Sequence, residues 1–157
     1  MQTVETPTIT KKDLHVRWMI RRDMQEVLAI EQESFEFPWF EEEFVRCLRQ
    51  KNAIGMIIEN DTSILGFMIY ELHKDNLELL NFAVCKSHRR TGIGKAMINK
   101  LISKLNDKKR IKIKASIREK NLDAQLFFKS QGFLCTEILK NQYDDSPEDS
   151  YLFEYYV

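Results

Sequence analysis

No run in this sequence approaches the roughly 20 consecutive apolar residues that a membrane span requires. The polar opening MQTVETPTITKKDLHV has no apolar signal core. Neither a membrane-embedded nor an exported protein is expected. Cysteine is scarce: Cys47, Cys85 and Cys135 are scattered, with neither a zinc spacing nor a disulfide framework, so a reducing cytoplasm is the expected setting. Charge of one sign is not in excess. The 24 basic and 24 acidic residues cancel, which argues against nucleic acid or an acidic lipid surface as a partner. His15, His73 and His88 share no close spacing, so no metal site is expected. Internal repeats, linkers and low-complexity segments are missing too, and nothing in the pattern fixes the oligomeric state.

What is present suits one globular domain. The chain of 157 residues is 43% apolar, enough for a real core. Residues 1–13 read as a flexible leader and 14–157 as the domain. HVRWMI (15–20) predicts a first strand. Asp23 is placed to cap a helix running to about Phe35, with Met24, Val27, Leu28 and Ile30 on its apolar side. Pro38 interrupts, and EEEFVRCLRQ predicts a second helix with acids in its first turn. The period then changes. IGMIIE (54–59), ILGFMIYEL (64–72) and LELLNFAV (77–84) read as a three-strand antiparallel meander, turned at Asn60–Ser63 and Lys74–Asn76. Ile93, Met97, Leu101 and Leu105 stand at i, i+4 spacing and predict a helix over 92–106. A strand (111–117), a helix from about Asn121 to Gln131 closed by Gly132, and strands 133–139 and 151–157 complete the chain. The fold class is α/β, a mixed sheet with helices on both faces, in the order β-α-α-β-β-β-α-β-α-β-β.

One stretch asks for a function. HRRTGIGKAM (88–97) bends on a G-x-G between a strand and a helix. It is not a Walker loop, because Arg89 stands where the first glycine belongs and Ala96 follows Lys95. It is not the dinucleotide fingerprint, because Met97 replaces the third glycine. The first N–H groups of a helix still lack intrahelical partners and carry the positive end of the dipole. Gly92 and Gly94 let an anion come close, and Arg89, Arg90 and Lys95 add charge. A phosphate-bearing ligand is the chemistry this bend suits; a plain strand-to-helix turn with solvated arginines is the alternative.

The motif Arg89-Arg90-Thr91-Gly92-Ile93-Gly94 resembles the [QR]-x-x-G-x-[GA] signature of the GCN5-related N-acetyltransferase superfamily, whose element order is the one read above. The resemblance implies the GNAT-type acyl-CoA N-acyltransferase fold and acetyl-CoA as cosubstrate. It implies that residues 89–95 cradle the pyrophosphate through main-chain amides. Phe82, Ala83 and Val84 would meet the pantetheine and thioester, and Asn121 would also touch the cofactor. EFPWFEEEF (36–44), LLNFAVCKSHRRTGIGKAM (79–97), IREKN (117–121), LFFKSQGF (126–133) and KNQY (140–143) are similar in order and spacing to bacterial ribosomal-protein-alanine N-acetyltransferases. That likeness implies an acceptor that is a protein N-terminus, here the N-terminal alanine of a small-subunit ribosomal protein. It puts Phe37, Pro38, Trp39 and Tyr143 on the substrate side.

The pattern also departs from those relatives. Their base on the fifth strand and acid on the last helix fall, by register, on Ser116 and Phe128. Tyr143 is a substitute acid, and Glu78 or Glu71 a substitute base acting through a water. The two rival readings are a small-amine acetyltransferase of the same fold and an acyl-CoA-binding module that has lost catalysis. The basic run KKRIKIK (108–114) reads as a solvated helix end, or else as a contact for the cofactor's 3′-phosphate or for ribosomal RNA. DDSPED (144–149) reads as a solvated loop or as an attractor for a cationic peptide.

Overall fold

The computed structural model describes residues 13–157. The leader expected over 1–13 therefore lies outside the described residues except for Asp13. Seven strands form one sheet: β1 (His15–Trp18), β2 (Ala53–Glu59), β3 (Ile64–Leu72), β4 (Asn76–Val84), β5 (Lys112–Arg118), β6 (Leu134–Leu139) and β7 (Ser150–Tyr156). Their order is β1-β2-β3-β4-β5-β7-β6. Every neighbouring pair is antiparallel except β4 and β5. The helices are α1 (Met24–Ser34), α2 (Glu41–Leu48), α3 (Ile93–Ile102) and α4 (Leu122–Ser130). This is the predicted order and fold class.

The central strand β3 is apolar on both faces because helices cover both. Phe67 and Ile69 meet Val27 and Ile30 of α1 and Phe44 of α2, while Met68 and Tyr70 meet Met97, Ile98 and Leu101 of α3 and Phe128 of α4. Each such side chain, when fully buried, contributes about 2 kcal/mol. The turns follow local chemistry. Asn60 Oδ1 accepts from the N–H groups of Thr62 (2.9 Å) and Ser63 (2.8 Å), and Gly132 ends the α4 segment at φ +93°.

Two local expectations are corrected. Asp23 stands before α1 but its side chain does not cap the helix. Its carboxylate takes the Arg17 guanidinium at 2.7 and 2.9 Å and the Ile20 N–H at 2.8 Å, tying the end of β1 to the start of α1. The two parallel bonds from the guanidinium make a bidentate pair, stronger than the single bond a cap would make. The third helix ends at Ile102, and Leu105 packs on the core from the turn that follows.

The feature that positions a site is the parting of β4 and β5. They are bonded only over Asn76–Leu79 and Lys112–Ala115. Leu80 is an extra residue in β4, skipped between the pairs Tyr70–Leu79 and Ile69–Asn81, and a bulge of this kind bends a strand. Beyond it, Leu80–Val84 and Ser116–Arg118 stand on the two sides of an open wedge.

Candidate active site

Two cavities fill the wedge. The first, about 200 Å³, lies towards the α1–α2 loop. The second, about 620 Å³, lies towards the start of α3. They share Phe35, Phe82, Asn121, Ala124 and Phe128, so they meet where β4, β5 and α4 come together.

The second cavity is lined by Phe82, Ala83, Val84, Arg89, Arg90, Gly92, Gly94, Lys95 and Asn121 among others. Gly92 caps α3 at φ +91°, and Arg90 also takes a left-handed φ, of +63°. Two positive φ values in three residues turn the chain sharply into the helix. A Cβ placed on Gly92 meets nothing within 4 Å, so there is open room above the helix start. Arg89 folds back, giving Nε to the Val84 carbonyl (3.2 Å) and Nη2 to Ser34 Oγ (3.0 Å), which fastens the loop to β4 and α1. Three cations and one acid, Asp123, face this cavity, an environment suited to an anion. Two residues of the expected set do not line it. Thr91 Oγ1 donates to the His88 carbonyl, and the Ile93 side chain is buried in the core. The Asn121 side chain caps α4 by accepting from Ala124 N–H at 3.2 Å.

Phe37, Trp39 and Tyr143 all line the first cavity, together with Ser116; Pro38 does not. Trp39 packs edge-on against Phe44 at 5.3 Å. Tyr143 Oη is 3.2 Å from Ser150 Oγ, and its ring stacks on Arg118. Phe128 lines both cavities.

Glu78 and Glu71 are corrected: neither lines either of these two cavities. Glu78 stands on the bonded stretch before the strands part, opposite Lys114. Its carboxylate is 3.2 Å from His73 Nε2, which is 3.7 Å from Glu71. The basic run lines neither cavity; Arg110 Nε donates to the His73 carbonyl (2.8 Å), and Lys112 pairs with Glu154 (3.1 Å).

Three polar residues of the first cavity escaped the sequence reading. Glu31 is buried, and each carboxylate oxygen accepts one bond, from Trp39 N–H (2.9 Å) and from Asn81 Nδ2 (2.9 Å). Burial pushes its carboxyl above the ordinary value, against the opposing pull of these two donors. Its signal was a lone acid on the apolar stripe of α1, four residues after Val27. Asn81 follows the bulge directly. Arg118 is held by Asp145 and Glu148 of the acidic loop, so that loop is ion-paired within the site wall.

The model of the acetyltransferase (GNAT) family matches residues 24–133. The chain belongs to this family. It is an acetyl-CoA-dependent N-acetyltransferase, as the motif implied. The GNAT chain is 28% identical over 130 residues to the [ribosomal protein bS18]-alanine N-acetyltransferase of Escherichia coli (strain K12), covering 82% of this chain and 87% of that one. It is 29% identical over 121 residues to the enzyme of the same name from Haemophilus influenzae, covering 77% and 82%. The fold matches the crystal structure of the Escherichia coli ribosomal-protein-S18-alanine N-acetyltransferase with a TM-score of 0.80 at 24% identity, over 92% of this chain and 94% of that one. It also matches a GNAT acetyltransferase from Elizabethkingia anophelis with acetyl-CoA bound, TM-score 0.74 at 17% identity, over 94% and 100%. Among the described residues no helix is long and apolar enough to cross a membrane.

Proposed function

We propose that this enzyme acetylates the N-terminal α-amine of a protein, and that its acceptor is the N-terminal alanine of a small-subunit ribosomal protein. The observation that carries the reading is the junction of a large cation-lined cavity with a small aromatic-walled one at Phe82, Asn121 and Phe128. In this reading the main-chain groups of residues 89–95 hold the pyrophosphate of acetyl-CoA, with Arg89, Arg90 and Lys95 adding charge. Phe82, Ala83 and Val84 align the pantetheine, and Asn121 flanks it. The acetyl group then lies at the junction, and the acceptor enters past Phe37, Trp39 and Tyr143. A volume of about 200 Å³ suits a small first residue. The relatives named for bS18 alanine support this acceptor. Ribosomal proteins are made in the cytoplasm, and that is where we place the enzyme.

The chemistry fits an α-amine better than a lysine. An α-amine has a reference pKa near 7.7–8.0, so about a tenth of it is neutral at pH 7, whereas a lysine amine near 10.4 is almost fully protonated. The neutral amine attacks the thioester directly. Cys85, the thiol nearest in sequence to the loop, lines neither cavity, so no acyl-enzyme is invoked. Holding the amine against the thioester contributes several kcal/mol of the order seen for well-oriented reactants.

The test is mass spectrometry of peptides beginning with Ala, Ser or Met, or carrying an internal Lys, after incubation with acetyl-CoA. Acetylation of the Ala peptide at its α-amine is the expected result. Turnover of small amines alone, or cofactor binding with no acetyl product on any peptide, overturns the reading.

A further inference from the structure

We infer that Glu31 is the proton acceptor of the transfer, in the role that Ser116, on the opposite wall of the same cavity, cannot fill. The inference rests on the reading of the first cavity as the amine slot. Three titratable side chains line that cavity: Glu31, Arg118 and Tyr143. Arg118 stays protonated at any working pH. Tyr143 Oη already donates to Ser150 Oγ at 3.2 Å. Glu31 is the one that can take up a proton there.

Its surroundings are those of a working carboxylate. A buried carboxylate is costly unless hydrogen bonds or a cation compensate it. Glu31 has only two neutral donors, Trp39 N–H and Asn81 Nδ2, and among the described residues no cation pairs with it. Both donors belong to the slot, one on the α1–α2 loop and one just past the β4 bulge. Each oxygen accepts one bond and keeps further capacity. The charged groups brought to α1 are engaged elsewhere: Asp23 is bonded to Arg17, Lys86 meets Glu33 through its main-chain N–H (2.8 Å), and the Arg89 guanidinium bonds Ser34 Oγ (3.0 Å) and the Val84 carbonyl (3.2 Å), while β3 and β4 present Ile69, Asn81 and Ala83. The positive charge that relieves Glu31 is therefore that of the acceptor nitrogen.

The step balances without a further reagent. The amine nitrogen forms a bond to the thioester carbon and becomes cationic. One of its protons passes to Glu31, directly or through one water. The carbonyl re-forms as the C–S bond breaks, and coenzyme A leaves as a thiolate that is protonated from solvent. Glu31 then returns its proton to solvent.

The experiment is steady-state kinetics of Glu31→Gln on whichever of the peptides above the wild-type enzyme acetylates. Asn81 can rotate its amide to accept from the new Gln, so the local bonds are kept. The expected result is a fall in kcat of about 10²-fold. KM for acetyl-CoA stays unchanged, and the acidic limb of the kcat profile disappears. A second variant, Asn81→Asp, sets a like charge against Glu31 and moves that limb to higher pH, which a purely structural Glu31 would not do. Wild-type kcat in Glu31→Gln, or an acidic limb that neither substitution alters, overturns the inference and leaves the N-terminal reading standing. A wild-type enzyme that acetylates none of the peptides overturns both.

Discussion

The Arg118 guanidinium lies 3.7 Å from the centre of the Tyr143 ring. The Phe37 ring covers it at 4.7 Å. Arg118 ends β5, Phe37 is on the α1–α2 loop and Tyr143 is on the β6–β7 loop, so one side chain joins three segments around the first cavity. The same guanidinium reaches Asp145 at 2.7 and 2.9 Å and Glu148 at 2.9 Å. Planar, many-donored arginine can stack and bond in this way; lysine cannot.

Replacing Arg118 by Gln strips all of these contacts at once. Glu148 is only 2% exposed and is left as a buried charge without its cation. The expected loss of stability is roughly 3 kcal/mol, read by urea unfolding. Because the walls of the slot lose their tie, KM for the peptide acceptor rises about tenfold while acetyl-CoA affinity holds. Arg118→Lys restores the charge but neither the stack nor the fork, so it does not rescue. Unchanged peptide KM in both variants would detach Arg118 from the acceptor side.

The same cluster sets an acid response. The Arg118 bond holds the Asp145 carboxyl below the usual range. Burial opposes ionisation of Glu148, and the bonds from Arg118, Lys120 N–H and Ser146 outweigh it, so its carboxyl also lies low. Carboxyls lowered on folding add stability that is complete above their unfolded pKa values, near 3.9 and 4.3, and is lost as pH falls through the lower folded values. Wild-type stability therefore declines more steeply than that of Arg118→Gln as the pH is lowered from about 5 towards 3. Urea midpoints of both proteins across that range give the comparison; parallel curves would disprove the linkage.

The glycines of the bend separate two effects. At Gly92, φ is +91° and no atom crowds a Cβ, so Gly92→Ala costs only backbone strain, about 1 kcal/mol. At Gly94 a Cβ falls 2.9 Å from the Phe127 ring. That ring stacks on Phe82 at 5.5 Å, so Gly94→Val disturbs the lining of the second cavity. Calorimetry should show acetyl-CoA binding weakened by about tenfold or more in Gly94→Val. Wild-type affinity there would remove the loop from the cofactor site.

Much of the fold was legible because its signals are local. The change from helical to alternating period marks the meander, Asn60 writes its own turn, and Gly132 closes α4. The second cavity was legible for a similar reason: its loop is one contiguous motif. The rest depends on partners distant in sequence. Glu31 meets Asn81 across 50 residues, and Arg118 meets Glu148 across 30. Asp23 looked like a cap because its neighbours say so, yet Arg17 on β1 takes its carboxylate. Glu78 reads like a site residue on the right strand, but the bulge at Leu80 decides which part of β4 opens onto the wedge.

Phe128 offers the sharpest test of the leaving-group step. It is nearly buried, lines both cavities, and packs edge-on to Phe82 at 5.7 Å and to Phe133 at 5.1 Å. A phenyl ring has no proton to give. A thiolate of pKa near 8.5 that departs at pH 7 without an acid forfeits about 1.5 units, or about 2 kcal/mol. Phe128→Tyr adds one hydroxyl at the rim shared by the cavities, at a packing cost of about 1–3 kcal/mol in stability. With the phenol in place, kcat on the Ala peptide should rise by up to roughly tenfold. A basic limb should also appear as the phenol ionises near pH 10. A folded variant that binds acetyl-CoA normally yet turns over at the wild-type rate would mean that thiolate departure does not limit this enzyme, and the slow step would then be amine attack.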